Sequence, residues 1–133
     1  MDRLAALAPL RNRYLCVRHG ESEANVAGLV SSDPGVSTLE HGLTPTGFAQ
    51  AREAASAVRL LADGAPIACV ASDFLRTRHT AETLAVAPVT FDVRLRERYF
   101  GEFNGKSHEA YKIVWAHDAE DGGLQHTCDN VER

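Results

Sequence analysis

Residues 14–22 read Tyr-Leu-Cys-Val-Arg-His-Gly-Glu-Ser, and this stretch decides the fold more than any other part of the chain. Its first four residues are apolar, and a short apolar run of this kind predicts a buried strand. Arg18, His19 and Gly20 follow at once. Ligands of open α/β sheets bind just beyond the carboxyl ends of the strands. We therefore expect the His19 side chain to face outward into a site rather than inward into a core.

A second junction of this kind, in which a short apolar run is followed at once by polar residues, lies further along the chain. The apolar run Ile67–Ala71 predicts another short strand, and Asp73 behind it has the side chain of a helix N-cap. We expect this helix to run through Leu84, which places Arg76 in its first turn. Free N–H groups and the helix macrodipole favour an anion at that position.

The two junctions together predict one anion site. If the strands are parallel neighbours, Arg18, His19 and Arg76 converge at one edge of the sheet, with His19 and Arg76 at the ends of adjacent strands. Asn25 follows the first junction closely, although by itself this residue is equally typical of a turn. Guanidinium groups, backbone N–H groups and an amide are donors that bind a phosphate group.

Three motifs in order give the chain a resemblance to a known family. From about Tyr14 to Trp115 the chain resembles the histidine phosphatase (phosphoglycerate mutase-like) superfamily. The matching residues are Arg18-His19-Gly20-Glu21-Ser22 with Asn25, then Ser72 with Arg76 and Thr80, and then Leu95-Arg96-Glu97-Arg98-Tyr99-Phe100-Gly101. The resemblance implies an α/β fold of three layers, α/β/α, with a mostly parallel sheet.

The resemblance also implies roles for five side chains. His19 matches the nucleophile that forms a phosphohistidine, a covalent intermediate that divides one difficult displacement into two easier ones. Arg18, Asn25 and Arg76 match the phosphate ligands. Glu97 matches the acid that protonates the leaving oxygen, which an alkoxide leaving group requires. On sequence alone, a glutamate with so many neighbouring arginines indicates a solvated charged stretch.

Helical and strand patterns alternate along the chain, which is typical of a parallel sheet with helices on both faces. Thr44-Pro45 has the pattern of a helix start, and Gly64 that of the helix end. Before this helix, residues 26–43 predict a long loop. After the second motif, Val89–Leu95 predicts a third strand, and Ser107 is expected to cap a last helix.

Length and composition are typical of one globular domain of a soluble protein. The 133 residues are 44% hydrophobic and 24% charged, and the net charge of −4 argues against nucleic acid or an acidic membrane as a partner. No segment reaches the ~20 apolar residues that span a bilayer. Cys16 and Cys69 lie inside apolar runs without disulfide or metal spacing, which indicates a reducing, cytoplasmic setting. Residues 1–12 predict an N-terminal arm.

The sequence departs from the family pattern near its end. Family members carry a second essential histidine after another buried strand, and no such strand precedes Arg133. His126 has no apolar run before it and no glycine after it, so we do not interpret it as the substitute. We expect residues 1–133 to form a single, incomplete domain of this family that lacks the final strand and helix. The strand beside Tyr14–Val17 would then be absent, and an uncovered sheet edge favours self-association.

Three functions fit these residues, and a phosphomonoester phosphatase fits best. A phosphoglycerate-type phosphomutase is chemically close, but mutases of this family tend to have Trp between the Ser and Asn of the first motif and an Arg-Arg pair after the third. This chain has Glu23-Ala24 in the first position and no such pair after Trp115. A non-catalytic phosphate-binding relative is the third, because the second histidine is missing.

The expected ligand is a small phosphomonoester or phosphate itself, and neither a metal nor an organic cofactor is expected. The histidines outside the first motif show no ligand spacing of the kind that holds zinc. We interpret them as exposed polar residues. They are His41, His79, His108, His117 and His126.

Overall fold

The computed structural model describes residues 12–120. Helices alternate with short parallel strands in this part of the chain, so the predicted α/β class with a parallel sheet is confirmed. The elements in chain order are α1 (Glu23–Ala27), α2 (Pro34–Ser37), α3 (Pro45–Ala62), β1 (Cys69–Ala71), α4 (Leu75–Leu84), β2 (Val89–Phe91) and α5 (Ala110–Glu120). Two 3-10 turns, Val93–Leu95 and Gly101–Phe103, lie between β2 and α5.

The sheet consists of β1 and β2, joined by α4 as the crossover. Their register places Cys69 opposite Val89 and Ala71 opposite Phe91. Both strands are three residues long and therefore shorter than predicted. The second one ends early because the Asp92 carboxylate accepts a hydrogen bond from the Arg94 N–H, which starts a 3-10 turn in place of further strand.

The predicted strand at Tyr14–Val17 is wrong for the described residues. The segment carries no strand pairing, and Tyr14, Leu15 and Val17 are 64%, 42% and 43% exposed. A strand needs a neighbour for its backbone N–H and C=O groups. No described residue pairs with this segment as a strand, so its apolar side chains stay at the surface.

Helix α3 begins as its sequence predicts. Thr44 is the N-cap, and its hydroxyl accepts a hydrogen bond from the Gly47 N–H at 3.0 Å. The buried face of α3 packs Ala55 and Val58 against Leu84 of α4. The helix ends at Ala62, and Asp63, one residue before the predicted Gly64, takes the left-handed cap conformation at a φ of 51°.

Helix α4 does not begin as predicted, because Asp73 is not its cap. Phe74 occupies the N-cap position without a side-chain hydrogen bond. The Asp73 carboxylate instead accepts from Arg96 Nε at 2.7 Å and from Arg96 Nη2 at 2.5 Å. A bidentate ion pair of this kind is stronger than one bond to a backbone N–H, which explains the choice of partner.

The loop predicted at residues 26–43 is partly helical. It contains α2, whose N-cap Asp33 accepts from the Gly35 N–H at 2.7 Å. At the start of α5, the predicted cap Ser107 lies three residues ahead of the helix, and its hydroxyl accepts from the Glu109 N–H. The loop and α5 share a core cluster, in which Val30 packs with Phe100, Ala110 and Val114.

Two predicted features fall outside the described residues. These are the N-terminal arm, except for its last residue, and the C-terminal stretch that contains His126. Between residues 12 and 120, no helix has both the length and the apolar character to cross a membrane.

Candidate active site

The loop that carries His19 is seated on the first turn of α3 by two glycines. A Cβ atom on Gly20 would lie 2.4 Å from the Gly47 carbonyl oxygen, and a Cβ atom on Gly47 would lie 2.1 Å from the Glu21 carbonyl oxygen. The contact is held by hydrogen bonds from the Glu21 N–H to Gln50 Oε1 at 2.8 Å and from the Thr44 N–H to the Glu21 carbonyl at 3.0 Å. The backbone around His19 is thereby fixed.

One buried threonine joins the two motifs. The Gly20 N–H donates to Thr80 Oγ1 at 3.2 Å, and the Thr80 hydroxyl donates to the Arg76 carbonyl at 2.7 Å. Thr80 is 5% exposed. The loop that bears His19 and the helix that bears Arg76 are therefore brought together, although only Arg76 follows a strand in the described sheet.

The His19 ring is held in one tautomer. Its Nδ1 atom lies 2.7 Å from the carbonyl oxygen of Gly20. A carbonyl oxygen can only accept, so Nδ1 carries the hydrogen when the ring is neutral. The lone pair is then on Nε2, which is the form of imidazole that can attack an electrophile.

The surroundings of His19 also keep the ring neutral. Burial is the largest cause that lowers the pKa of His19 below its ordinary value of 6.5, and the positive charges of Arg76 and Arg18 lower it further. The hydrogen bond to Gly20 and the negative charge of Glu97 oppose this shift without cancelling it. Neutral imidazole is thus favoured where the arginines lie nearby.

Arg76 is a buried cation. Its guanidinium lies 5.0 Å from the centroid of the Phe74 ring, and Nη1 donates to the Ser31 hydroxyl at 3.4 Å. Ser31 in turn bonds the Ser37 hydroxyl at 2.8 Å and His41 Nδ1 at 2.9 Å. Burial lowers the pKa of Arg76, but an arginine keeps its charge in proteins. A buried, charged guanidinium is a strong binding group for an anion.

Asn25 is part of a capping box at the start of α1. Its Oδ1 atom accepts from the Ser22 N–H at 3.0 Å and from the Ser22 hydroxyl at 2.9 Å. Asn25 thus has a structural role in the cap, and its assignment as a phosphate ligand stays a prediction. Because Oδ1 is engaged in the cap, the Nδ2 amide is the part of the side chain left for a ligand in the neighbouring cavity.

Glu97 is exposed and comes directly after Arg96, which forms an ion pair with Asp73. Its Oε1 atom accepts from the Arg98 N–H at 2.9 Å. The charge of Glu97 raises the pKa of both His19 and Arg76 against the larger effect of burial. Glu97 therefore lies close enough to the two groups for its charge to act on them.

A single cavity of about 530 Å³ brings the five predicted site residues together. Arg18, His19, Asn25, Arg76 and Glu97 all line it. The size lies within the range of small-molecule sites in proteins. A group of three or more side chains suited to hold a metal ion does not occur between residues 12 and 120.

Several residues of the cavity wall were not predicted as site residues. Ser31 lies in a segment that the sequence indicates only as loop, and its contact with Arg76 spans 45 positions. Tyr111 and Trp115 are four residues apart on α5. This spacing places them on one face of a helix but does not indicate which part of the protein that face contacts. His108, interpreted as an exposed polar residue, is 61% exposed in its side chain and also lines the cavity.

Comparison with known proteins places this geometry in context. The family model of the histidine phosphatase superfamily (branch 1) matches residues 14–127. The glucosyl-3-phosphoglycerate phosphatase of Mycolicibacterium vanbaalenii is 30% identical over 117 residues, which cover 80% of this chain and 48% of that protein.

Solved structures show the same likeness. A mycobacterial glucosyl-3-phosphoglycerate phosphatase in complex with VO3 matches with a TM-score of 0.55 and 29% identity, over 80% of this chain and 47% of that one. The phosphoserine phosphatase of Entamoeba histolytica, in complex with 3-phosphoglyceric acid, matches in fold with a TM-score of 0.61 and 24% identity, over 81% and 52%. The phosphoglycerate mutase-like fold expected from the sequence is confirmed, and the chain spans about half the length of the relatives it matches.

Proposed function

The chain belongs to the histidine phosphatase superfamily, and on that premise we propose that it is a phosphomonoester phosphatase that acts through a phosphohistidine on His19. The hydrogen bond between His19 Nδ1 and the Gly20 carbonyl carries the proposal, because it leaves the Nε2 lone pair available. The ligand is a small phosphomonoester. The two arginines that line the same cavity support a phosphate site there.

The reaction then has two steps. In the first, His19 Nε2 attacks phosphorus, the bond from phosphorus to the ester oxygen breaks, and Glu97 donates a proton to the departing alkoxide. In the second, the Glu97 carboxylate takes a proton from water as the water oxygen attacks the phosphohistidine. The P–N bond breaks, phosphate leaves and neutral His19 is restored. Arg18, Arg76 and the Asn25 amide bind the non-bridging oxygens, where charge concentrates in the transition state.

Labelling tests the nucleophile. The protein is mixed with phenyl phosphate that carries radioactive phosphorus, quenched in alkali and separated on a gel, since phosphohistidine survives alkali. We expect label on the wild-type chain and none on His19→Ala. His117→Ala is the matched control, because His117 is exposed on α5 and does not line the cavity. Phosphate binding without label would instead identify a non-catalytic phosphate-binding protein.

The leaving group tests Glu97. We expect Glu97→Gln to slow hydrolysis of alkyl phosphates by ~10²-fold or more, the usual contribution of a positioned general acid. Hydrolysis of 4-nitrophenyl phosphate should slow far less, because its leaving group departs without a proton. The measurement is kcat for both esters in both proteins. Equal slowing of the two esters would remove Glu97 from the role of acid.

We also propose a reducing, cytoplasmic setting and self-association of the chain. The cysteines within the described residues support the first, since Cys16 and Cys69 are both free thiols. Burial raises the pKa of the Cys69 thiol, which makes it less reactive. The exposed apolar side chains of the unpaired segment Tyr14–Val17 support self-association.

A further inference from the structure

The cavity that holds the predicted catalytic groups also has an aromatic wall. Phe100, Tyr111 and Trp115 line it together with the neutral His19 and with the two cations Arg18 and Arg76. In the proposed function, a phosphate group is bound by Arg18, Arg76 and Asn25 and attacked by His19, and it needs none of the three aromatic rings. The aromatic wall is therefore available to the part of a substrate that phosphate is attached to.

The aromatic wall is an ordered series of rings. Phe100 meets Tyr111 edge to face, with centroids 4.8 Å apart and planes at 88°. Tyr111 stacks on Trp115, with centroids 5.5 Å apart and planes at 16°. Exposure increases along the series, from 4% at Phe100 through half-buried Tyr111 to 60% at Trp115. The series leads from the buried core to an indole that presents open surface.

Tyr111 connects the wall to the charged groups. The charges of Glu97, Arg76 and Arg18 all act on its hydroxyl, although burial is the largest cause that raises the pKa of Tyr111. Tyr111, the middle ring of the series, therefore lies within electrostatic range of Arg18 and Arg76. Among the described residues that line the cavity, Arg18 and Arg76 are its only Arg or Lys side chains. The wall thus offers ring faces and no further permanent cation.

We propose that this wall selects phosphate monoesters whose alcohol part carries an uncharged ring with an apolar face. An aryl group and a pyranose share this chemistry, because either can lie flat against the exposed indole of Trp115. Aromatic rings prefer such offset or edge contacts and gain from them beyond simple burial. The inference rests on the proposed phosphatase function and names its substrate class.

Phosphonates test the wall without turnover, because their P–C bond is not hydrolysed. The probes are benzylphosphonate, the phosphonate isostere of glucose 6-phosphate, and propylphosphonate as the open-chain reference. Trp115 is the single tryptophan of the chain, so its emission reports ring contact directly in the wild-type protein. Calorimetry gives the dissociation constants for wild type and variants alike.

We expect at least one ring phosphonate to change Trp115 emission and to bind roughly three- to tenfold more tightly than propylphosphonate, the range of a single aromatic contact. Trp115→Ala should abolish this preference and leave propylphosphonate binding unchanged, and Trp115→Phe should restore part of it. Ile113→Ala is the matched control, since Ile113 is 50% exposed on the same helix and does not line the cavity.

The outcomes separate the two proposals. A preference for benzylphosphonate alone identifies an aryl ester, and a preference for the sugar phosphonate alone identifies a sugar ester. Equal binding of all three probes to wild type would overturn the aromatic wall but leave the phosphate site intact. Loss of propylphosphonate binding in Trp115→Ala would show that Trp115 has a structural role, and it would overturn its role in substrate selection. No binding of any probe would overturn the phosphate site and this inference together.

Discussion

At the scale of single residues, the chemistry depends on where one proton sits on His19. The Gly20 carbonyl holds that proton on Nδ1, and burial with two neighbouring arginines lowers the pKa of the His19 ring, which disfavours a second proton on Nε2. A neutral histidine with a free Nε2 lone pair suits the proposed role of nucleophile. Its titration is therefore the most direct property to measure.

We expect His19 to titrate below 6.5 in an NMR experiment that follows its ring proton, with the signal assigned by its loss in His19→Gln. Between the lowered pKa of the folded protein and 6.5, the unfolded chain binds more protons at this position. The His19 contribution to the free energy of unfolding therefore rises with pH across that window and is lost as the pH falls. A His19 signal that titrates above 6.5 would contradict the neutral nucleophile.

Asn25 is a cap residue and a proposed phosphate ligand, and one pair of variants can separate the two roles. Asn25→Asp keeps an oxygen acceptor for Ser22 but removes the amide donor and adds a negative charge. We expect it to fold with unchanged stability, since an acidic residue suits a helix start, and to bind phosphate much more weakly. Asn25→Ala should also lose about 1 kcal/mol of stability with the cap. Urea unfolding and phosphate titration measure the two effects, and full phosphate affinity in Asn25→Asp would confine Asn25 to the cap.

At the scale of elements, features set by neighbouring residues were predicted correctly, and features set by contacts between distant residues were not. Helix α3 was predictable because its signals, the Thr44 cap, Pro45 and the apolar spacing, all lie within one short segment of sequence. Asp73 was assigned to a cap because its partner Arg96 is 23 residues away in sequence. The strand predicted at Tyr14–Val17 failed for the same reason, since apolar content indicates a strand but a neighbouring strand is needed to form one.

The same division applies to the site. His19 and Arg76 were predicted to share a pocket as the ends of two neighbouring strands. They do line one cavity, but the buried Thr80, and not a second strand, joins their segments. The close contact of Gly47 with Glu21 could not be predicted, because a glycine in the first turn of a helix has many possible causes. Tertiary contact decides between them.

We expect Gly47→Ala to destabilise the protein by about 3 kcal/mol or more, because the new Cβ atom would overlap backbone that cannot move aside. The propensity of alanine for a helix would by itself favour the substitution by about 1 kcal/mol, so the sign of the change reports the contact. Gly64→Ala is the control, with a φ of +75° and nothing within 4 Å of the added atom. It should cost only about 1–2 kcal/mol. Urea unfolding measures both, and a neutral Gly47→Ala would show that the loop is not seated on α3.

At the scale of the whole molecule, exposed apolar residues predict association. Leu15 and Val17 of the unpaired segment are 42% and 43% exposed. Sedimentation velocity should therefore show a mass that increases with protein concentration. Leu15→Lys should weaken this association, and Leu60→Lys should not, because Leu60 is an exposed leucine on α3 outside that segment. A monomer at every concentration would disprove self-association.

The close contact of Gly20 and Gly47 also connects the site to the order of folding. Glu21 and Thr44 are 23 residues apart, so we expect the loop that carries His19 to become ordered only when the first turn of α3 has formed. We therefore expect the backbone around His19, the proposed nucleophile, to be ordered late in refolding, because the non-local contact must first overcome loop-closure entropy. In hydrogen exchange, the amide of Glu21 should open in the same event as the first turn of α3. The protein would thus acquire its reactive histidine together with a helix, as one cooperative unit.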